Sequence, residues 1–363
     1  MSTVTAAAIP SQATTAAGAA VVVANDLHNP RSVRIQSDGS LVVAEAGSGP
    51  ATPCAPPPAG ERNRCLGFSG SLYRVAGSTK GRVVTGLPSE QINQNYGTSV
   101  LTRIAGAVQA ESAGSTYRVS YGLSGLPAER ISLGAGSDPL GTLSTAKGKV
   151  LGDLAAHEAA NDPDSVNGNS EVFSNPWGFA RDGKDHLVTD AGANDLIRVH
   201  ADGTTTTEFV FPNNTLPAAS GVHTATPAGQ YQAVPTGIVR DRDGTFYIAD
   251  MSGMVEGISR VWRYAPGSAP TVFVTGLTDV IDLALDPHGD LIALSYGSGL
   301  GSAPGPGALT RIDKKSGAVT AIDTGTTSLN QPTGLAVNAW GDIYVTNNTQ
   351  STTAGELLKF PAR

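Results

Sequence analysis

The sequence is short of charge: Asp, Glu, Lys and Arg together make up only 15% of its 363 residues. What charge there is leans acidic, a net −7, with 24 Lys and Arg and no basic run among them. That excludes a nucleic-acid partner, because neutralising phosphates takes clustered cations. No stretch approaches the roughly 18 consecutive apolar residues of a membrane span. Only two cysteines occur, Cys54 and Cys65, and no histidine lies near them in sequence, which argues against a zinc site there. In an oxidising compartment the pair would close a disulfide; in a reducing one it would be two free thiols. Neither a Gly-x-Ser-x-Gly nucleophile elbow nor a Gly-x-x-x-x-Gly-Lys-Ser/Thr phosphate loop is present. The Ala/Thr/Ser-rich residues 1–18 lack the basic start and apolar centre of a signal peptide. They read as a disordered N-terminal segment, any export signal being absent or already removed, and 19–363 reads as a single domain.

Glycine (44) and proline (23) are plentiful, and the apolar runs are short and rich in Val and Thr. Many turns with few charges point to an all-β chain. One phrase recurs: a turn with Pro, an apolar run, Asp-Gly or similar, a second apolar run, then an acidic or polar residue. It appears at Asn29-Pro30, Asp38-Gly39 and Leu41–Glu45, and again at Asn175-Pro176, Asp182-Gly183 and His186–Asp190. Further copies run through Val234-Pro235 to Asp250, Asp282 to Ser295, and Gln331-Pro332 to Asn347. The turn glycines fall at 39, 183, 244, 289 and 341. The first interval is too long for one blade of roughly 40–50 residues. A degenerate copy fills it, with 98–104 as first strand and Tyr117–Tyr121 as second. Each copy continues with two more strand-like runs, so the expected fold is a six-bladed β-propeller of four-stranded blades. The last copy is one strand short when the chain stops. Ala20–Ala24 supplies it and closes the ring, removing two exposed edges.

A propeller blade runs from strand A at the axis to strand D at the rim. Its A–B and C–D turns share one face; its B–C and D–A connections share the other. Here the A–B turns are short, and the long stretches 46–70, 122–140, 154–174, 212–233 and 296–306 all fall on the second, upper face. Long loops on a rigid scaffold commonly carry function. The residues flanking strands A and B on that face are Asn29, Glu45, Tyr121, Asn175, Asp190, Asp250, Asp279, Ser295, Gln331 and Asn347. Glu45, Asn175, Asp190 and Asp250 are the candidate ligands of a hard, oxygen-seeking cation such as Ca²⁺. Glu45, Asp190 and Asp250, with His157, are also the candidate acid/base groups. His28, Asn29, Tyr121, Trp177 and Asn347 are expected to line the pocket, although Trp177 also suits a blade core. The competing reading is plain: an Asp at a strand end caps a backbone turn, and the repeat places one there in most copies. His157-Glu158 sits in a short helical stretch of a crossing. It is one residue type away from a His-Glu-x-x-His zinc motif, because position 161 is Asn. His223 lies in another crossing.

The phrases resemble NHL-type propeller blades. More specifically, the chain resembles the ScyD/ScyE family, named for scytonemin biosynthesis, from about Leu27 to Ala362. The carrying segments are Leu27–Arg31 with Leu41–Gly47, the Cys54/Cys65 loop, Asp153–Asn161, Ser174–Gly178, Thr189–Asn194, Val234–Gly237 and Val280–Leu283. Position 157 is His where that pattern has an aromatic. The resemblance implies an exported, secreted or periplasmic, propeller and a late step on an aromatic metabolite; it carries over no catalytic residue. Two functions stand open. One is an enzyme acting at the channel mouth on a small aromatic or lactone-like molecule, by Ca²⁺-assisted hydrolysis or acid/base chemistry. The other is a non-catalytic binding propeller of the cell envelope.

Overall fold

The computed structural model describes residues 15–16, 20–215, 226–297 and 305–362. His223, the centre of the 296–306 connection and most of the segment 1–18 lie outside the described residues. Two strands precede the first blade, β1 (Thr15–Ala16) and β2 (Val21–Leu27). Blade 1 contains β3 (Pro30–Ile35), β4 (Leu41–Glu45), β5 (Arg62–Ala76), β6 (Thr79–Asn95) and β7 (Val100–Ala105). Blade 2 contains β8 (Ala107–Ala113), β9 (Thr116–Tyr121), β10 (Thr142–Thr145) and β11 (Val150–Asp153). The β9–β10 connection carries the helix α1 (Pro127–Ser132), and the crossing after β11 carries α2 (Leu154–Asn161). Blade 3 is β12 (Pro176–Asp182), β13 (Asp185–Asp190), β14 (Asp195–Val199) and β15 (Thr205–Val210). A small pair, β16 (Asn214–Thr215) and β17 (Gln230–Tyr231), lies in the next crossing. Blade 4 is β18 (Pro235–Arg240), β19 (Phe246–Asp250), β20 (Ser259–Tyr264) and β21 (Thr271–Leu277). Blade 5 is β22 (Val280–Leu285), β23 (Leu291–Ser295), β24 (Ala308–Ile312) and β25 (Val319–Asp323), with β1 parallel to β25. Blade 6 is β26 (Gly334–Val337), β27 (Ile343–Asn347) and β28 (Gly355–Phe360), completed by β2. The chain is a six-bladed β-propeller.

Local chemistry explains the repeated phrase. At the first A–B turn, Gly39 sits at φ +78°, and the Asp38 carboxylate accepts the Ser40 N–H at 2.9 Å. Asp243 does the same for Thr245, with Gly244 between them at φ +91°. Asp closes the turn and Gly takes the conformation a side chain would resist. The second strand of each phrase is a continuous apolar run because it is covered on both faces. All five residues of β4 and of β19 are buried. The core therefore lies between blades. Val42, Ala44 and Leu72 of blade 1 cluster with Ala107, Val119 and Tyr121 of blade 2. Tyr247, Ala249 and Val261 of blade 4 cluster with Val280, Leu283 and Leu291 of blade 5.

Among the described residues, hydroxyls tie four of the six blades to the next. Ser120 donates to the Trp177 carbonyl, Thr189 to that of Thr236, and Thr236 to that of Val280. Thr333 and Thr346 of blade 6 both donate to the Arg31 carbonyl of blade 1, so the seam of the ring carries the same bond. The closing strand runs three residues beyond its expected end, antiparallel to β28, with Val21 opposite Lys359 and Leu27 opposite Gly355.

The axis is filled rather than open. Arg34 of blade 1 reaches across to the Asp282 carboxylate of blade 5 at 3.0 Å and to the Gln109 carbonyl of blade 2 at 2.9 Å. Asp282 accepts the Leu335 N–H of blade 6, and Gln109 donates to the Phe179 carbonyl of blade 3. Gly237 of blade 4 completes the hub. A side chain there would come within 2.4 Å of Asp282 Oδ1, so the hub fixes glycine at this position.

One expectation needs correcting. The first strand of the degenerate copy is Ala107–Ala113, not 98–104. Residues 100–105 form β7, which pairs with β6. The reason is that β5 and β6 run 15 and 17 residues, far past β4, which pairs only with Ser71–Val75. Their excess, joined by β7, forms a three-stranded flap above blade 1. The stretch 46–70 is accordingly a loop only to residue 61.

Candidate functional site

The acidic and amide residues at the ends of the B strands share one duty. The Glu45 carboxylate accepts the His28 N–H at 2.7 Å, and that of Asp190 accepts the Asn175 N–H at 2.6 Å. The Asp250 carboxylate accepts the Val234 N–H at 2.9 Å, and the Asn347 side-chain carbonyl accepts the Asn330 N–H at 2.6 Å. Each clamps the residue one or two places before a proline that opens strand A or, in blade 6, lies just ahead of it. Glu45 and Asp250 are fully buried and paired to arginines of their own blades, Arg82 and Arg260, both at 2.7 Å. Asp190 has no arginine. Its oxygens take the N–H groups of Asn175, Gly192 and Ala193 and the Ser174 hydroxyl. Of the four expected cation ligands, only Asn175 and Asp190 are brought into contact, and through a backbone N–H.

The other expected residues are also engaged. His157 meets Thr205 at 3.0 Å and Thr207 at 2.8 Å, one through each ring nitrogen, so its ring faces the rim strand β15. Asn29, at φ +46°, donates its side-chain amide to the Gly47 carbonyl. Tyr121 is buried, and burial pushes its hydroxyl well above the usual phenol range. Trp177 is half-buried and packs on a cluster that includes Met251, Ile281 and Tyr296.

The unspent chemistry on the upper face lies beside these residues, at the inner end of blade 5. Asp279 precedes β22 in the left-handed conformation, φ +46°, matching Asn29 in blade 1 and Gln331 in blade 6, at φ +48°. Where Asn29 donates an amide to a loop carbonyl, Asp279 has no N–H to donate. It is fully buried, and neither of its oxygens has a hydrogen-bond donor among the described residues. Burial first, then Glu256, push its carboxyl up to about 7. Around it stand two phenols. Tyr231, held up at about 12 by burial and by Asp279, packs its ring against Gly253. Tyr296 accepts from Gln350 at 3.3 Å; burial raises its hydroxyl, and Arg31 and Arg103 pull it back. Arg31 is buried and donates to the carbonyls of Ile104, at 2.8 Å, and Thr349, but enters no ion pair among the described residues. Ile104 and Arg103 belong to β7, so the flap meets Arg31 at the mouth. A disulfide, Cys54–Cys65, with Cα atoms 5.9 Å apart, joins the loop before β5 to the flap. Arg64 holds it too, pairing with Glu90 at 2.5 Å and Glu129 of α1 at 3.1 Å.

A second acidic centre lies off the axis. Glu158 of α2 and Asp162 and Asp164 just beyond it each present an oxygen within 4.8 Å of the others, a triad that could hold a metal ion. Burial and then Asp190, Asp164 and Asp162 push Glu158 up to about 8. On the lower face, a cavity of about 750 Å³ opens between blades 5 and 6, beside the exposed Trp340. Its Asp286 and Arg311 are paired with each other.

Sequence reasoning placed Asp279 in its upper ring but not among its candidates, and singled out neither Arg31 nor Tyr296. The signal available was substitution within the repeat: an acid at a position where equivalent blades carry Asn or Gln.

No protein-family model matches the chain. No curated protein matches it either. Solved structures do, at low identity. A structural genomics protein from Bacteroides thetaiotaomicron is 10% identical over 97% of this chain and 75% of its own, with a TM-score of 0.49. Virginiamycin B lyase from Staphylococcus aureus is 11% identical over 93% and 97%, with a TM-score of 0.48. The WD40 propeller domain of Doa1 is 12% identical over 94% and 96%, with a TM-score of 0.46. Likeness at this level carries no inference about activity.

Proposed function

We propose that the chain is an exported propeller enzyme that acts on a small aromatic or lactone-like molecule at the flap-covered channel mouth. The observation that carries this reading is Asp279: a buried carboxyl with no donor, poised near neutrality, beside two phenols and near an unpaired arginine. A group that is half ionised near pH 7 serves as well in taking a proton as in giving one. Arg31 and Arg103 offer positive charge to an oxyanion, carboxylate or phenolate forming over Tyr296. Trp177 supplies an aromatic wall. In hydrolysis, Asp279 as carboxylate would draw the proton from an attacking water, and the arginines would hold the oxyanion. The disulfide supports export, since such bonds persist in oxidising compartments. The resemblance to the ScyD/ScyE family agrees in substrate class.

The test is turnover of a panel of aryl esters and aliphatic and aromatic lactones by the purified protein and by Asp279→Asn and Arg31→Lys. We expect Asp279→Asn to lower kcat by roughly 10²-fold or more, and Arg31→Lys to act chiefly on KM. Binding of panel members without turnover would favour the non-catalytic propeller, and turnover indifferent to Asp279→Asn would remove the assignment.

A further inference from the structure

The triad beside α2 is the edge of a larger set of oxygens. Asn194 and Asp195, which end the β13–β14 turn and open β14, are both fully buried. Among the described residues, both oxygens of Asp195, the side-chain oxygen of Asn194 and one oxygen each of Asp162 and Asp164 have no hydrogen-bond partner. Glu158 is 1% exposed, and its one donor there is the Phe173 backbone. The side chains are neighbours. Asn194 donates its amide to the far oxygen of Asp164, and Asp195 feels the charges of Asp190, Glu158 and Asp164.

A carboxylate buried without a partner costs several kcal/mol when ionised, so such groups hold a proton unless a cation sits beside them. Among the described residues no Lys or Arg pairs with Glu158, Asp162, Asp164 or Asp195, whereas Arg82 and Arg260 pair with Glu45 and Asp250. The triad offers only carboxylate oxygens, the hard ligands that Ca²⁺ takes. Zinc would want nitrogen or sulfur, and the nearest histidine in sequence, His157, turns its ring to Thr205 and Thr207. Mg²⁺ holds its waters and suits a wetter site.

We propose that Glu158, Asp162 and Asp164, whose oxygens lie within 4.8 Å of one another, form a calcium site that Asn194, bonded to Asp164, staples to the inner turn of blade 3. Asp190 is not a ligand in this arrangement. Its oxygens fold the turn that carries Asn194 and Asp195, through the N–H groups of Gly192 and Ala193. The site is independent of the channel mouth, and its test reads binding and stability rather than turnover.

The experiment is equilibrium dialysis of the full chain with labelled calcium, with thermal midpoints in calcium, magnesium and chelator. We expect about one equivalent bound, and a midpoint roughly 4 °C higher in calcium at a hundred- to thousand-fold excess over Kd. Asp162→Asn and Glu158→Gln should each weaken calcium at least tenfold, while their midpoints in chelator equal or exceed that of the wild type, because a crowded carboxyl is gone. Wild-type protein that retains no calcium and melts alike in calcium and chelator overturns the proposal. So do variants that bind calcium as well as the wild type. Should the variants not fold, the wild-type dialysis and melts decide alone.

Discussion

Replacing Asp279 by Asn should make the protein more stable at pH 8 and leave it unchanged at pH 4. The carboxyl rises from 3.8 in the unfolded chain to about 7 in the folded one, chiefly through burial. A group whose folded value is raised stabilises the fold below its unfolded value and loses that contribution as pH climbs through the folded value. The window here runs from about 4 to about 7. At ~1.4 kcal/mol for each tenfold change in the ionisation constant, the loss is at most about 4 kcal/mol, and less where water reaches the mouth. Asn carries no such cost, and in blade 1 the equivalent Asn29 donates its amide to the Gly47 carbonyl. For a chain of this length, about 4 kcal/mol corresponds to roughly 5 °C in the midpoint. The assay is a pair of thermal or urea melts of both proteins at pH 4 and pH 8. The difference should appear only at the higher pH. A variant less stable than wild type at pH 8, or a gap of equal size at both pH values, would refute the reasoning. Gained stability alongside lost turnover is what a functional carboxyl at a strained position predicts.

Arg34→Met should cost about 3 kcal/mol in urea unfolding, because it strands the buried Asp282 without its cation; no change would show that the hub does not hold the ring. The Cys54–Cys65 bond closes a loop with a sequence separation of 11, so Cys54→Ala/Cys65→Ala should lose at most about 3 kcal/mol. Thiol titration of the unreduced, unfolded wild type should find no free cysteine. Deleting residues 1–27 removes β2 and uncovers the long edge of β28. Size-exclusion chromatography should then show aggregation, and an undisturbed profile with an unchanged midpoint would count against closure by that strand.

What the sequence revealed was what short-range chemistry writes. Asp38-Gly39 announces its turn because the carboxylate and the glycine act within three residues. The closing strand was legible in the apolar run Ala20–Ala24 ahead of the first copy of the phrase. The error at 98–104 has a local cause too. Val100–Ala105 has strand character, and nothing in it tells which neighbour it joins. The true first strand, Ala107–Ala113, is poor in β-branched residues and is held by tertiary contacts instead, Gln109 bonding to Arg34 and to Phe179. The same limit governs the site. An acid at the end of a B strand is visible, but Arg82 lies 37 residues from Glu45, so its neutralisation is not. Asp195 reads as an ordinary strand start until α2 is folded against it.

The hub at Arg34 has a consequence for traffic. Five blades are bonded across the middle and Gly237 of blade 4 packs against Asp282, so side chains cross the axis. On the proposed reading, a molecule that enters under the flap leaves the way it came, and incoming and outgoing molecules contend for a single doorway. Slow departure would then act as a brake on the next arrival, and shortening the flap should ease both at once.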